Sequence, residues 1–527
     1  MSNGTSIHTD DEQINQLIPR IKDFMRDHVV EYNIMGDVVR GYTTADAPSL
    51  WIRDYSDMMR AFKFWDEDVQ SVVRFFADTQ SAKGWFMDYV TMTPEKLPGE
   101  KENWVKHVRV PVEADVEYRF VYAAYQAWQA TGDDEWVSGL LENMERAMDY
   151  IQSDPWRWDP DTQLVKRPLT IDTWDFDYTA GRHDWLNFQV TEDTYWGIMH
   201  GDNSGYYQAF LQMADLYEHL GEKQRADHWG GRAADIRDRA NEVCFNGQFY
   251  THHVHLVPVE IEGVDESRQL SLSNPIDINR GMATHEMAVN ILEEYQRRGE
   301  EQEVFAEWFS IDPPFPDGIF GDEKLVAGAY SNGGIMPLVG GELAAAAFEH
   351  GFEEYGVDIL RRYEELTSDG ESYLWYFPDG TKSSEETSTS PLASNSDPWG
   401  SSAIMYALTT GLIGLRDQSK LFHDVRLAPR WIAAGVEHAE IGLEYGPSGA
   451  FFRYEFRHQP EEREISLELK GNARVDLHLL LPERSEAVSL AVDGEQLTCS
   501  ISEIEGSPYC DAAFQVDGEA SISVRYR

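Results

Sequence analysis

Four glycines interrupt the chain in the same way. They sit in Thr131-Gly132-Asp133-Asp134, Leu220-Gly221-Glu222-Lys223, Arg298-Gly299-Glu300-Glu301 and His350-Gly351-Phe352-Glu353. Apolar residues recur at helical spacing before each glycine and again after it. Each glycine stands where a helix C-cap needs a left-handed residue, and acids fall at or near the start of the next helix. The unit is an αα-hairpin with a tight turn, used repeatedly. Helical periodicity fits residues 116–131, 135–151, 204–220, 224–243, 285–298, 341–350, 354–366 and 401–415. Upstream, Thr9 and Glu12 read as a capping box for a helix to about residue 30. Leu50-Trp51-Ile52-Arg53-Asp54-Tyr55 runs into a helical pattern through Phe62, and another covers 69–79. About a dozen helices make six hairpins. The links on the opposite side are long and carry aromatics and isolated acids. Short turns on one face and elaborate loops on the other predict a mainly α fold, an (α/α)6 toroid.

The texture changes after Leu415. Segments 425–429, 441–445, 450–456, 465–469, 475–481, 488–492 and 522–526 alternate apolar and polar residues, with Gly446-Pro447-Ser448-Gly449 and Asp493-Gly494 as turns between them. This predicts an antiparallel β-sandwich, with a catalytic toroid over 1–420 and the sandwich over 421–527.

The formal charge is −49, from 93 acids against 44 bases spread along the whole chain. Such a chain repels nucleic acid and anionic membrane, so neither is an expected partner. Its even, lysine-poor acidity is similar to that of proteins from salt-loving organisms, where salt screens the self-repulsion. No run approaches the roughly twenty apolar residues of a membrane span, and the polar N-terminus makes the cytoplasm the expected location. Cys244, Cys499 and Cys510 are expected as thiols. The C-terminal β segment carries no clustered acids, metal spacing or glycine-rich phosphate loop, so it reads as structural. His252, His253 and His255 would alternate on a strand, with His252 on the opposite face from the other two, so neither metal nor cofactor is expected. Oligomeric state is not readable.

Chemistry concentrates in Ile171-Asp172-Thr173-Trp174-Asp175-Phe176-Asp177-Tyr178. Three carboxylates among three rings suit a pocket that stacks on a sugar and does acid–base work on it. Glycoside hydrolysis needs two carboxyls on opposite faces of the sugar, one to protonate the leaving oxygen and one to activate water or attack. Asp175 is the acid candidate, because Trp174 and Phe176 can desolvate it; Asp172 and Asp177 are its rivals. The partner carboxylate should lie far along the chain, and Glu386, in a polar loop ahead of Trp399-Gly400-Ser401, fits best. Trp51, Trp174, Trp375 and Trp399 are candidate sugar platforms, against an alternative as buried core. Arg280 could hold a hydroxyl or an acidic sugar's carboxylate. Glu342 is a lesser candidate base, Glu113 and Asp115 could line a subsite or form surface ion pairs, and Asp202 reads as a helix cap.

These residues carry a resemblance. Trp174-Asp175-Phe176 resembles the Trp-Asp-Phe stretch that holds the acid of trehalases, and Glu386 with Trp399-Gly400-Ser401 resembles the pattern that holds their base. Processing α-glucosidases and related six-hairpin glycosidases are similar. Trp51-Ile52-Arg53-Asp54 resembles their Trp-x-Arg-Asp segment at the sugar's non-reducing end, and Tyr330-Ser331-Asn332-Gly333-Gly334 their Asn-Gly-Gly loop. The resemblance implies an inverting, exo-acting glycoside hydrolase, with Asp175 as acid and Glu386 as base. Trp51, Arg53, Asp54, Asp172, Trp174, Asp177, Arg280, Asn332 and Trp399 would bind a small oligosaccharide or glycoside, α-glucosidic linkages among them. Two departures speak against trehalose itself. Ala393 to Pro398 replaces the glycine-rich run, and the trehalase-like Pro275 to Asn279 segment falls about a hundred residues too late. A phosphorylase, a polysaccharide lyase and a non-catalytic sugar-binding protein are the alternatives on the same scaffold.

Overall fold

The computed structural model describes residues 4–34, 36–46, 49–93, 104–182, 190–389 and 393–527. Its helices are α1 (Glu12–Arg26), α2 (Ile52–Phe62), α3 (Ser71–Asp78), α4 (Val116–Thr131), α5 (Asp134–Ser138), α6 (Leu141–Ser153), α7 (His200–His219), α8 (Lys223–Cys244), α9 (Ser273–Asn279), α10 (His285–Glu301), α11 (Pro337–Glu349), α12 (Glu353–Leu366) and α13 (Pro398–Tyr406). Helix α2 packs on α4, α4 on α7, α7 on α9, α9 on α11, α11 on α13, and α13 back on α2. Each of these six contributes a side chain to one cavity of about 20 Å³: Asp57, Arg119, Gln208, Asn279, Glu342 and Tyr406. Outside them, α8 lies along α7, α12 along α11, α10 against α9 and α11, α3 and α6 against α4, and α1 against α12 and α13.

The inner helices are buried nearly all round, as their composition requires. In α11, Pro337 to Phe348 is buried throughout. Small residues set how closely these helices approach. A Cβ on Gly341 would lie 2.3 Å from the Ala403 carbonyl carbon of α13, and one on Gly205 of α7 would lie 2.3 Å from the Tyr118 ring of α4.

Several elements depart from the sequence expectation. Asp11, not Thr9, caps α1, accepting from the amides of Gln13 and Ile14. Thr9 instead ends a strand, Ser6–Thr9, which pairs with His438–Glu444, so the N-terminus joins the C-terminal sheet. The expected 135–151 helix breaks at Gly139 and Leu140 into α5 and α6. Gly132, Gly221 and Gly351 take the left-handed conformation foreseen for them (φ 71°, 78° and 87°). Gly299 does not, because α10 continues past it to Glu301. Helix α9 was not foreseen; seven residues are too few to show periodicity. The last inner helix starts three residues earlier than expected, at Pro398, and passes into a π turn over Ala407–Leu412.

The C-terminal sheet runs in the order Ser6–Thr9, His438–Glu444, Phe451–Gln459, Glu464–Leu480, Ser507–Tyr526, Ala487–Val492, Glu495–Leu497. The two strands expected at 465–469 and 475–481 are one, Glu464–Leu480, paired along its whole length with Ser507–Tyr526. Gly471 and Gly518 face each other at the middle of that pair. The pairing is antiparallel except that Asp424–Leu427 runs parallel to residues 474–477. Leu415–Asp417 also belongs to this sheet. All three cysteines are free thiols. No helix among the described residues is long and apolar enough to cross a membrane.

Candidate active site

Several sequence-predicted residues, with Ser273 which was not among them, lie at the N-terminal ends of the inner helices. Trp51, Arg53 and Asp54 open α2, Glu113 and Asp115 precede α4, Asp202 lies in the first turn of α7, Ser273 opens α9, and Trp399 is in the first turn of α13. Helix N-termini carry partial positive charge and unpaired N–H groups, so this is where a ring of helices tolerates crowded carboxylates.

The charges there are buried and paired. Arg53 donates through Nε to Asp115 at 2.7 Å and through Nη2 to Glu113. Arg119 donates to Asp57 Oδ1 at 2.6 Å, and Trp399 Nε1 donates to Asp57 Oδ2 at 3.0 Å. Arg60 and Asn279 both donate to Glu342 deeper in the ring. Glu113 and Asp115 are thus interior ion-pair partners, not surface ones. Burial would push Asp115 up, but Arg53 and Arg119 outweigh it and hold the carboxyl down at about 2. Burial is outweighed at Asp57 too, where Arg119 and Arg60 keep the carboxyl below its usual range. Asp54 lacks such compensation: burial, reinforced by Asp57 and only partly offset by Arg53, raises it to about 7.

The 171–178 stretch forms one lip. Arg167, fully buried, donates to the Trp174 carbonyl at 2.7 Å and to both Asp202 oxygens at 3.3 Å. Asp202 is therefore an ion-pair partner inside α7 rather than a helix cap. Asp172 lies beneath the lip with no exposed surface. Its carboxylate accepts from the Thr173 amide at 2.6 Å and from Ser273 Oγ at 2.5 Å. Burial opposes its charge, but His200 and the hydroxyls of Ser271 and Ser273 prevail and lower its pKa. Asp177 is buried and bridges to Thr170. Asp175 alone of the three keeps a partly exposed side chain. Burial raises its pKa, with Arg53 and Arg167 opposing. Trp174 packs against Trp399 (ring centroids 5.8 Å apart) and edge-on to Tyr330 (5.5 Å), and Phe176 also meets Tyr330 (5.8 Å). Asp175 thus lies in sequence between two rings of an aromatic cluster built from three distant segments. Trp51 packs at a tilt against Tyr89, ring centroids 4.0 Å apart.

Other candidates take different roles. Asn332 is fully buried and holds its own loop, bonding the Phe315 amide and the carbonyls of Phe315 and Leu325. Arg280 bonds the Gly201 carbonyl, Ser204 and Tyr118 at the cavity wall. Trp375 is core. Glu386 is exposed in the turn following Ser384, and Lys324 tethers that turn through the Glu385 carbonyl at 2.8 Å.

Sequence reasoning missed Arg167, Asp57 and Arg119. A signal existed for two of them: Arg53, Asp57 and Arg60 fall on one face of α2, and Asp115, Arg119 and Tyr122 on one face of α4. The histidines are not laid out on one strand, since only Val254 and His255 are extended. His252 Nε2 accepts the Asp172 amide at 2.8 Å. Among the described residues, the three donors lying together at metal-site distances are His438, Glu440 and Glu455 in the C-terminal sheet, where His438 and Arg457 already pair with Glu455.

No family model and no curated protein sequence matches the chain. Solved structures do. An α-L-rhamnosidase from Dictyoglumus thermophilum aligns over 99% of this chain with TM-score 0.61 and 11% identity. A Streptomyces avermitilis α-L-rhamnosidase complexed with L-rhamnose aligns over 99% with TM-score 0.58 and 12% identity. The chain spans 50% of the first of these proteins and 42% of the second. A GH63 mannosylglycerate hydrolase from Thermus thermophilus, in complex with glucose, is covered over 99% of its length by 74% of this chain, with TM-score 0.51 and 13% identity. At such identities the likeness is one of fold.

Proposed function

We propose that the chain is a glycoside hydrolase on an (α/α)6 toroid, inverting and exo-acting, with Asp175 as general acid and Glu386 as general base. The observation that carries it is Asp175: a half-buried residue whose carboxyl pKa is raised by burial, next to Trp174 and Phe176 in a cluster with Tyr330 and Trp399. The fold shared with hydrolases solved with sugars supports the reading. Asp175 would give its proton to the glycosidic oxygen as the bond to the anomeric carbon breaks. Glu386 would take a proton from the water that attacks the opposite face. Solvent exchange then resets both carboxyls. Such a pair stands roughly 6.5–9.5 Å apart with the water between them.

Trp51, Arg53, Asp54 and Trp399 would contact the sugar, and Asp172, Asp177 and Asn332 would support from behind. The trehalase and processing α-glucosidase likeness rests on the short motifs, so the sugar is left to experiment. Phosphorolysis is disfavoured because Arg53, Arg119 and Arg167 are already committed to carboxylates. Asp54 favours a second assignment: at about 7 it is itself a protonated acid near neutral pH. The charge of −49 supports activity in concentrated salt. A panel of aryl glycosides and disaccharides in molar salt, with NMR of the first-formed anomer, tests the whole. Hydrolysis with inversion, lost in Asp175→Asn and Glu386→Gln, is the expected result; both variants at full turnover would remove the assignment.

A further inference from the structure

Asp172 holds a backbone conformation that a non-glycine residue rarely adopts, φ +45°, three residues before Asp175. Something must keep it there. Its carbonyl accepts from Thr170 Oγ1 at 2.6 Å and its carboxylate is bound by Ser273, but its amide is held by a side chain from another segment, His252, fully buried, at 2.8 Å. The amide can only donate, so His252 Nε2 must offer a lone pair, which leaves the proton of the neutral ring on Nδ1. That nitrogen faces Glu266 Oε1 at 3.7 Å, and the other Glu266 oxygen is held by His255. On the other side of the loop, Arg167 holds the Trp174 carbonyl. The peptide leading into Asp175 is therefore clamped at an amide and at a carbonyl two residues apart.

We infer that His252 is a positioning residue for the acid: by accepting the Asp172 amide, which fixes its tautomer and leaves Nδ1–H toward the Glu266 carboxylate, it aims Asp175 into the mouth. The inference rests on Asp175 being the acid. It assigns a purpose to two residues of the histidine-rich segment that the catalytic reading leaves idle. A small misplacement of a reacting group is costly in rate, so removing the acceptor should lower kcat and spare KM.

The test compares His252→Leu, which has no acceptor, with His252→Gln, whose amide oxygen can replace Nε2. It uses an aryl glycoside the wild-type protein hydrolyses, with hydrogen exchange of peptide 169–178 measured in parallel. His252→Leu should lose on the order of tenfold to a hundredfold in kcat with KM little changed, and its 169–178 amides should exchange faster. His252→Gln should recover most of both. Glu266→Gln, which keeps the ring but removes the negative charge facing its Nδ1–H, should show the same changes at smaller size. Unchanged kcat and exchange in His252→Leu would overturn the inference. So would His252→Gln as impaired as His252→Leu, which would mean packing and not acceptance. If His252→Leu does not fold, unchanged exchange and kcat in Glu266→Gln overturn it instead. Exchange does not require turnover: a wild-type protein that hydrolyses nothing in the panel refutes the glycosidase reading, while the loop amides still decide whether His252 anchors the loop.

Discussion

The mouth of the helical ring and the C-terminal sheet obey opposite rules. Among the described residues from Val436 to Arg527 no charged side chain is buried, and apart from tyrosines and Cys510 the only buried polar one is Ser485. Between Arg53 and Arg119 the buried set includes Asp54, Asp57, Arg60, Asp88, Glu113, Asp115, Glu117 and Arg119. The sheet is built by alternation: along Glu464–Leu480, inward and outward residues follow each other almost without exception. The mouth is built by placing charges where they are expensive and then compensating them with partners and helix N-termini. A hydrophobic replacement of a buried ion pair is often neutral or stabilising, so stability alone gives no reason for so many ionisable groups at the end of a helix ring. Stability explains the sheet; the proposed function would explain the mouth.

That contrast can be broken from the top down. Asp175→Asn should lower kcat by roughly 10² to 10⁴ while leaving the melting temperature near wild type; steady-state kinetics and calorimetry on the same sample check both halves. Arg53→Met takes from Asp115 and Glu113 their nearest guanidinium, leaving only the more distant Arg119 and Arg167, and denaturant melts should show a loss of about 3–5 kcal/mol. Gly341→Ala forces a methyl against the Ala403 backbone, and should cost about 1–3 kcal/mol by the same measurement.

Asp54→Asn sharpens the comparison through pH. The Asp54 carboxyl is raised to about 7 when folded, against about 4 in an unfolded chain. Between those values the folded state binds more protons than the unfolded one, so this group makes stability fall as pH rises from about 4 to 7. The Asn variant should flatten that slope and gain stability relative to wild type above about pH 7. In the sheet, Lys470→Ala removes an exposed pair with Glu519 (2.7 Å) and should change stability by less than about 0.5 kcal/mol.

Much of this was legible in the sequence, for identifiable reasons. Gly132, Gly221 and Gly351 announced the hairpins because only glycine takes their φ at low cost. The sheet was legible because one face of each strand is apolar, yet the fusion of Glu464–Leu480 across Gly471 was not, since an interior glycine reads as a turn. Trp51, Arg53, Trp174 and Trp399 drew the sequence reading because rings stand beside charges in short motifs there. What they touch could not. The Trp399–Asp57 bond spans 342 positions and the His252–Asp172 bond 80, and no local pattern encodes such pairs. Glu113 and Asp115 looked like surface acids for the same reason: their partner, Arg53, is about sixty residues upstream.

The most direct test of Asp175 as proton donor is the dependence of its loss on the leaving group. A glycosidic oxygen that departs readily needs no proton, and a poor one does. With a series of aryl glycosides of one sugar, Asp175→Asn should approach wild-type turnover on the dinitrophenyl glycoside and fall progressively behind it as the phenol becomes less acidic. Equal losses across the series would mean that Asp175 does not protonate the departing oxygen, and the assignment of the acid would be contradicted.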